Sequence, residues 1–153
     1  MATLERTVVL VKPDGVQRGM IGEVIHRFER KGLQLVAMKM TQLNDAVLDT
    51  HYAHHADKPF FSGLKEFMMS SPVIAMIWQG PQAVAVVRTM LGPTKGYEAA
   101  PGTLRGDFSI EPTYNMVHAS DAVETAKAEI ERFFKPEELF DYSKTLNQHL
   151  FDV

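Results

Sequence analysis

A chain of 153 residues is long enough for one domain with a proper core, and 45% hydrophobic and 23% charged residues are ordinary for a soluble globular fold. A net charge of −3 argues against general nucleic-acid binding and leaves room for a local basic pocket for phosphates. The absence of cysteine excludes disulfides and thiolate metal sites, no apolar run approaches the ~20 residues of a membrane span, and Met1 to Arg6 shows no signal-peptide pattern, so a cytoplasmic protein is expected.

Thr7 to Val11 is a β-rich apolar run and is expected to be a central strand. It ends in Lys12-Pro13-Asp14-Gly15, a turn signature that holds Lys12 at a strand end, suited to reaching a phosphate, although a lone lysine there is more often solvated. Ile21, Val24, Ile25 and Phe28 recur at helical spacing, with Gly32 as the stop. Leu33 to Thr41 alternates as a second strand, with Val36, Met38 and Met40 on one face. Asn44 to His55 is expected to be a helix started by Asn44 or Asp45, with Val47, Leu48 and His51 on one side. His51, His54 and His55 share a helix face, but no H-E-x-x-H pattern or nearby carboxylate completes a ligand set, so a solvated face is the better expectation than a metal site.

Asp57 to Ser62 is a turn into a helix that runs through Leu64, Phe67 and Met68. Phe60 and Phe61 cannot both face one core. Either one ring is exposed, as a stacking platform for a base, or the two pack against different elements. Val73 to Trp78 is an unbroken apolar strand bounded by Pro72 and Gly80-Pro81, and the helix from Ala83 to Leu91 carries Arg88 near its C-terminal end. Gly92 to Thr113, roughly twenty residues without periodicity, holds Thr94 and Arg105; a loop this long in a compact domain is usually functional.

That loop leads into Thr113 to Asp121. Met116 and Val117 form a short buried strand, and Asp121 and Glu124 have the D-x-x-E spacing of a capping box for a helix whose stripe is Ala122, Ala126, Ile130 and Phe133. His118 therefore sits where strand gives way to helix, and a neutral imidazole is a nucleophile able to carry a transferred group. Glu129 falls at about −20° from Ala122, on the edge of the apolar stripe, where a carboxylate needs a partner such as His118. Such a pair would fix the tautomer and orientation of the ring. On spacing alone, a core-edge histidine beside an ordinary helix-flank glutamate stands ahead of that reading. Apolar residues in the closing Leu150 to Val153 suggest a docking tail, with a neighbouring subunit as one candidate surface.

With the extra helices set aside, the order is the β-α-β-β-α-β of a ferredoxin-like α+β domain with an antiparallel sheet, spanning 1–153 as one domain. The fold alone names no function. Lys12, Arg88 and Arg105 as cations, Thr94 as a hydroxyl, Phe60 or Phe61 as a stacking face and His118 together suit a nucleoside polyphosphate. No Walker run and no kinase-type glycine loop is present, so binding would use another arrangement.

Over essentially its whole length the sequence resembles the nucleoside diphosphate kinases. The stretches that carry the likeness are Val11 to Gly19, His51-Tyr52, Lys58-Pro59-Phe60-Phe61, Pro101 to Phe108 and Asn115 to Asp121. The resemblance implies a ping-pong transfer in which His118 takes the γ-phosphate of a nucleoside triphosphate and passes it to a different diphosphate. It implies that Glu129 bonds the far ring nitrogen, with Ser120 in support. Lys12, Tyr52, Arg88, Thr94, Arg105 and Asn115 match positions around the phosphates, the ribose and His118, and Phe60 matches the ring under the base. Also implied are Mg2+ carried by the nucleotide rather than by a carboxylate cage, tolerance of many bases with ATP and GDP among the partners, and a homohexamer, with a tetramer as the alternative. Ala119 stands where the family has glycine, a change compatible with a negative φ. Residues 94–97 and 111–114 depart from the commoner wording. Two rivals remain at this point: a ferredoxin-like module that binds nucleotide without chemistry, and a metal-binding protein built on the His51 cluster.

Overall fold

The computed structural model describes residues 2–152, so Met1 and Val153, the outermost residues of the expected start and tail, lie outside it. Four strands, β1 (Leu4–Val11), β2 (Gln34–Thr41), β3 (Val73–Pro81) and β4 (Val117–Ala119), form one antiparallel sheet in the order β2-β3-β1-β4. This is the ferredoxin-like α+β arrangement that the element order implies. β1 sits inside the sheet because both of its faces are apolar: Val9 and Val11 enter one core, and Val8 and Leu10 the other. β3 does the same, with Ile74, Met76 and Trp78 on the first side and Val73, Ala75 and Ile77 on the second.

The first face is covered by α2 (Ile21–Lys31) and α5 (Ala83–Leu91), through Val24, Phe28, Val87 and Leu91. The second is covered by α3 (Asp45–His51), α4 (Phe61–Met69) and α7 (Val123–Phe133), through Leu48, Met68 and Phe133. Gly32 ends α2 at φ 101°, a left-handed position that glycine takes without a Cβ penalty. Asn44 caps α3, its side chain accepting from Val47 N–H at 3.0 Å.

Several local expectations are corrected. In β2 a bulge between Leu35 and Ala37 makes Val36 an extra residue, so Val36 and Ala37 both enter the second core. Met38 and Met40 consequently leave that face and are 52% and 60% exposed. Lys12 to Gly15 is more than a turn, since Pro13–Gln17 form the short helix α1 with proline at its start. The helix after Asn44 stops at His51, and residues 53–55 make a separate 3-10 turn. The Asp121–Glu124 capping box does not form, because the chain stays extended through Ala122 (φ −150°, ψ 161°) and α7 starts at Val123 with no side-chain cap. The long loop holds α6 (Leu104–Phe108), which is too short to show a period. Ahead of the tail the chain lies along its own β2, where Phe140 N–H donates to Val36 O at 3.0 Å, Tyr142 O–H to Leu35 O at 2.7 Å and Gln34 Nε2 to Tyr142 O at 2.6 Å, and in the tail Asp152 O accepts from Ala2 N–H at 2.9 Å. Among the described residues no helix is long and apolar enough to cross a membrane.

Candidate active site

The chain entering β4 is bent sharply and clamped. Met116 is fully buried with φ 69°, a conformation that residues other than glycine rarely adopt. Its N–H donates to Asp14 Oδ2 at 2.9 Å, its carbonyl accepts from Lys12 N–H at 2.8 Å, and Val117 N–H closes back on Asn115 O at 2.8 Å. Gly15 leaves room for this approach, since a Cβ there would stand 3.0 Å from Met116 O and 2.8 Å from Val11 Cγ1. The Lys-Pro-Asp-Gly segment is therefore the fixture that holds the strained connection in front of His118. Ala119, in place of glycine, needs no positive φ.

In β4, His118 pairs opposite Leu10, and its Nε2 lies 2.6 Å from Glu129 Oε2. Burial opposes charge on Glu129, but the hydrogen bond and charge of His118, with smaller help from Ser120 and His51, hold the carboxyl below its ordinary range. An ionised carboxylate only accepts hydrogen bonds, so the His118 proton belongs on Nε2 and Nδ1 keeps its lone pair. Ser120 Oγ accepts from Val8 N–H at 3.1 Å, which leaves its own proton free for the carboxylate nearby. Glu129 Oε1 itself has no partner in standard hydrogen-bond geometry.

In front of this pair lies a cavity of about 890 Å³ lined by Lys12, Tyr52, Phe60, Arg88, Thr94, Arg105, Asn115 and His118. Eight of the ten residues expected from sequence thus share one wall, with Ser120 and Glu129 behind it. Lys12 Nζ donates to Asn115 Oδ1 at 2.8 Å and Thr113 O at 2.9 Å, and Asn115 Nδ2 donates to Thr94 O at 3.0 Å. Burial pushes the Lys12 ammonium down to about 8, with Asp14 opposing the shift and Arg105 adding to it. Arg105 is 4% exposed, and its guanidinium donates to the carbonyls of Asn115 at 3.3 Å, Gly92 at 3.0 Å and Val117 at 2.6 Å. Burial and then Arg88 lower it to about 10. Burial, then Glu129, raise the Tyr52 phenol, which stays protonated. Phe60 is 53% exposed, while Phe61 packs against the second core, so the two rings divide between solvent and interior. Among the described residues the cavity wall holds three cationic side chains and no carboxylate. Such a wall fits phosphates and offers a divalent cation no carboxylate ligand of its own.

Two neighbours of the pair were not expected. His51, foreseen on a solvated face, is 6% exposed, and its ring packs edge-on against His118 at 4.5 Å, Tyr52 at 4.6 Å and Phe133 at 5.1 Å. The signal was present, since Leu48 precedes His51 by one helical step on the buried side. Arg132 carried no such signal; its Nη1 donates to His51 Nδ1 at 2.9 Å. Burial, then His118, push the His51 imidazole down to about 3, so it is neutral. The three histidines part company, with the His54 and His55 rings 3.9 Å apart and His55 edge-on to Phe60 at 5.2 Å. Among the described residues, His51, His118 and Glu129 are the one group with metal-ligand spacing, and the Arg132 guanidinium places a fixed positive charge on it.

Known proteins share this fold and much of this sequence. The family profile described as nucleoside diphosphate kinase matches residues 5–139. The chain is 51% identical over 148 residues to a nucleoside diphosphate kinase of Bacillus cereus, covering 97% of this chain and all of the relative. It superposes with a TM-score of 0.95 on a halophilic nucleoside diphosphate kinase from Halobacterium salinarum in complex with CDP, at 43% identity over 98% of this chain and 100% of that one. A transition-state mimic of the Borrelia burgdorferi enzyme with vanadate and ADP matches at a TM-score of 0.89 and 35% identity, covering 95% of this chain and 96% of that one. The chain belongs to the nucleoside diphosphate kinase family.

Proposed function

We propose that the chain moves the γ-phosphate of a nucleoside triphosphate to a nucleoside diphosphate by a ping-pong route through a phosphohistidine on His118. The observation that carries this reading is the His118–Glu129 contact of 2.6 Å at the wall of a cavity lined by Lys12, Arg88 and Arg105. The lone pair of His118 Nδ1 forms a bond to the γ-phosphorus as the bond from phosphorus to the leaving diphosphate oxygen breaks, and that oxygen keeps the electron pair. The ring becomes positive with its proton still on Nε2, where Glu129 balances the charge. Lys12, Arg88 and Arg105 spread positive charge over the transferring oxygens. A second diphosphate then takes the phosphoryl group by the reverse of the same step. Mg2+, when bound through the nucleotide, neutralises phosphate charge. Tyr52, Thr94 and Asn115 supply polar contacts to the nucleotide and its phosphates. The half-exposed Phe60 stacks the base without selecting it, since every base has a π face. The vanadate and ADP in the Borrelia relative and the CDP in the Halobacterium relative support nucleotides as partners here.

In this reading residues 1–153 work as one cytoplasmic domain and assemble as a homohexamer. The exposed Tyr97 (62%) and Ile110 (80%) on the long loop support association, as apolar surface of this kind is commonly covered by a neighbour. The deciding experiment mixes the protein with γ-labelled ATP and magnesium, removes free nucleotide and adds GDP. An acid-labile, base-stable label that moves to GDP, and that His118→Ala abolishes, is the expected result. Nucleotide retention with no label would instead mark a binding module without chemistry.

A further inference from the structure

His51 is a buried titratable group that the transfer described above does not use. Its ring is confined by His118, Tyr52 and Phe133, so it cannot rotate out to solvent. Its Nδ1 stands 3.4 Å from Glu129 Oε2, the same oxygen that lies 2.6 Å from His118 Nε2. A proton on His51 Nδ1 would have that oxygen as an acceptor 3.4 Å away, reached by a small tilt of the ring, and would compete with His118 for it. The guanidinium of Arg132 settles where the proton goes. Guanidinium nitrogens only donate, so the nitrogen 2.9 Å from Arg132 Nη1 must be the one with the lone pair. The proton then sits on His51 Nε2, which is buried with no hydrogen-bond partner of its own. Nothing around Nε2 favours this tautomer; Arg132 imposes it. Helix α7 makes the arrangement possible, because Glu129 and Arg132 lie three residues apart on one side and Phe133 follows against the same imidazole.

We propose that Arg132 is a positioning residue that holds His51 in its Nε2–H tautomer and so reserves Glu129 Oε2 for His118. The proposal rests on the phosphohistidine reading. Its effect falls on the rate at which His118 accepts a phosphoryl group and not on nucleotide affinity, because neither Arg132 nor His51 lines the cavity.

The first test needs no variant: imidazole 15N shifts of the intact, uniformly labelled chain should show His51 with a bare Nδ1 and a protonated Nε2. A protonated Nδ1 would overturn the proposal. Arg132→Leu should turn His51 to the other tautomer and slow His118 labelling about tenfold with an unchanged nucleotide Kd, and Arg132→Lys, which restores a donor, should recover most of the rate. In a His51→Phe background, which has no ring nitrogen to compete, Arg132→Leu should cost nothing further. An equal loss in both backgrounds, or no loss in either, would sink the idea. If the native chain itself takes no label, the functional reading has failed, and the 15N measurement still decides the tautomer.

Discussion

Glu129 and His118 meet at 2.6 Å with the carboxylate 1% exposed and the imidazole side chain 24% open. The charge is thus sealed behind the ring it serves, and only the ring faces the substrate. Glu129→Gln keeps the shape and removes the charge. It should slow phosphorylation of His118 about a hundredfold while the nucleotide Kd stays nearly constant. Rapid-quench labelling beside equilibrium binding checks this, and a matched loss in both would contradict the assignment.

Lys12 is pushed down to about 8 from an ordinary 10.5, chiefly by burial. In the free protein, nucleotide affinity should weaken as pH rises through about 8, because the ammonium that meets the phosphates is lost. Stability moves the other way. Between about 8 and 10.5 the unfolded chain holds more protons at this group than the folded one, so Lys12 makes the fold more stable as pH rises across that window. Titration calorimetry and urea unfolding over the same pH range should show opposite slopes, and Lys12→Met should flatten both.

Arg105 ties together the carbonyls of Gly92, Asn115 and Val117. Arg105→Ala leaves those groups without their donor and removes a cation from the cavity. The chain should lose about 2–4 kcal/mol of stability and both kcat and kcat/KM should fall. Urea midpoints with steady-state kinetics test this; a purely kinetic effect would mean that the tethers are dispensable.

Phe60 has about half its surface open, while Phe61 is spent on the core. Phe60→Ala should raise KM roughly tenfold for purine and pyrimidine nucleotides alike, since stacking is lost and no base-specific bond goes with it. Competition assays with paired nucleotides would reveal any selective loss.

What the residues alone disclosed follows from physics. β1 and β3 were visible because strands buried on both faces are unbroken apolar runs, and Glu129 was visible because a carboxylate on the edge of an apolar stripe is anomalous. The bulge at Val36 was not, as it is a backbone event that leaves the residue pattern looking regular. Helix α6 escaped for want of length, and it carries Arg105. The capping box misled because D-x-x-E marks a helix start only where the backbone turns there, and here it stays extended. Arg132 was hidden because its partner His51 lies 81 residues away, beyond any local pattern.

The clamp on the strained Met116 connection has a consequence for how activity is acquired. Asp14 and Met116 are 102 residues apart, Lys12 and Asn115 103, and Val8 and Ser120 112. Each tether joins β1 or the residues just after it to β4 or the residues beside it, the last strand in sequence, so closing it must overcome the entropy of a loop of about a hundred residues. Refolding should therefore recover secondary structure before it recovers turnover, and a ribosome-bound chain that lacks its last forty residues should be fully inert rather than weakly active.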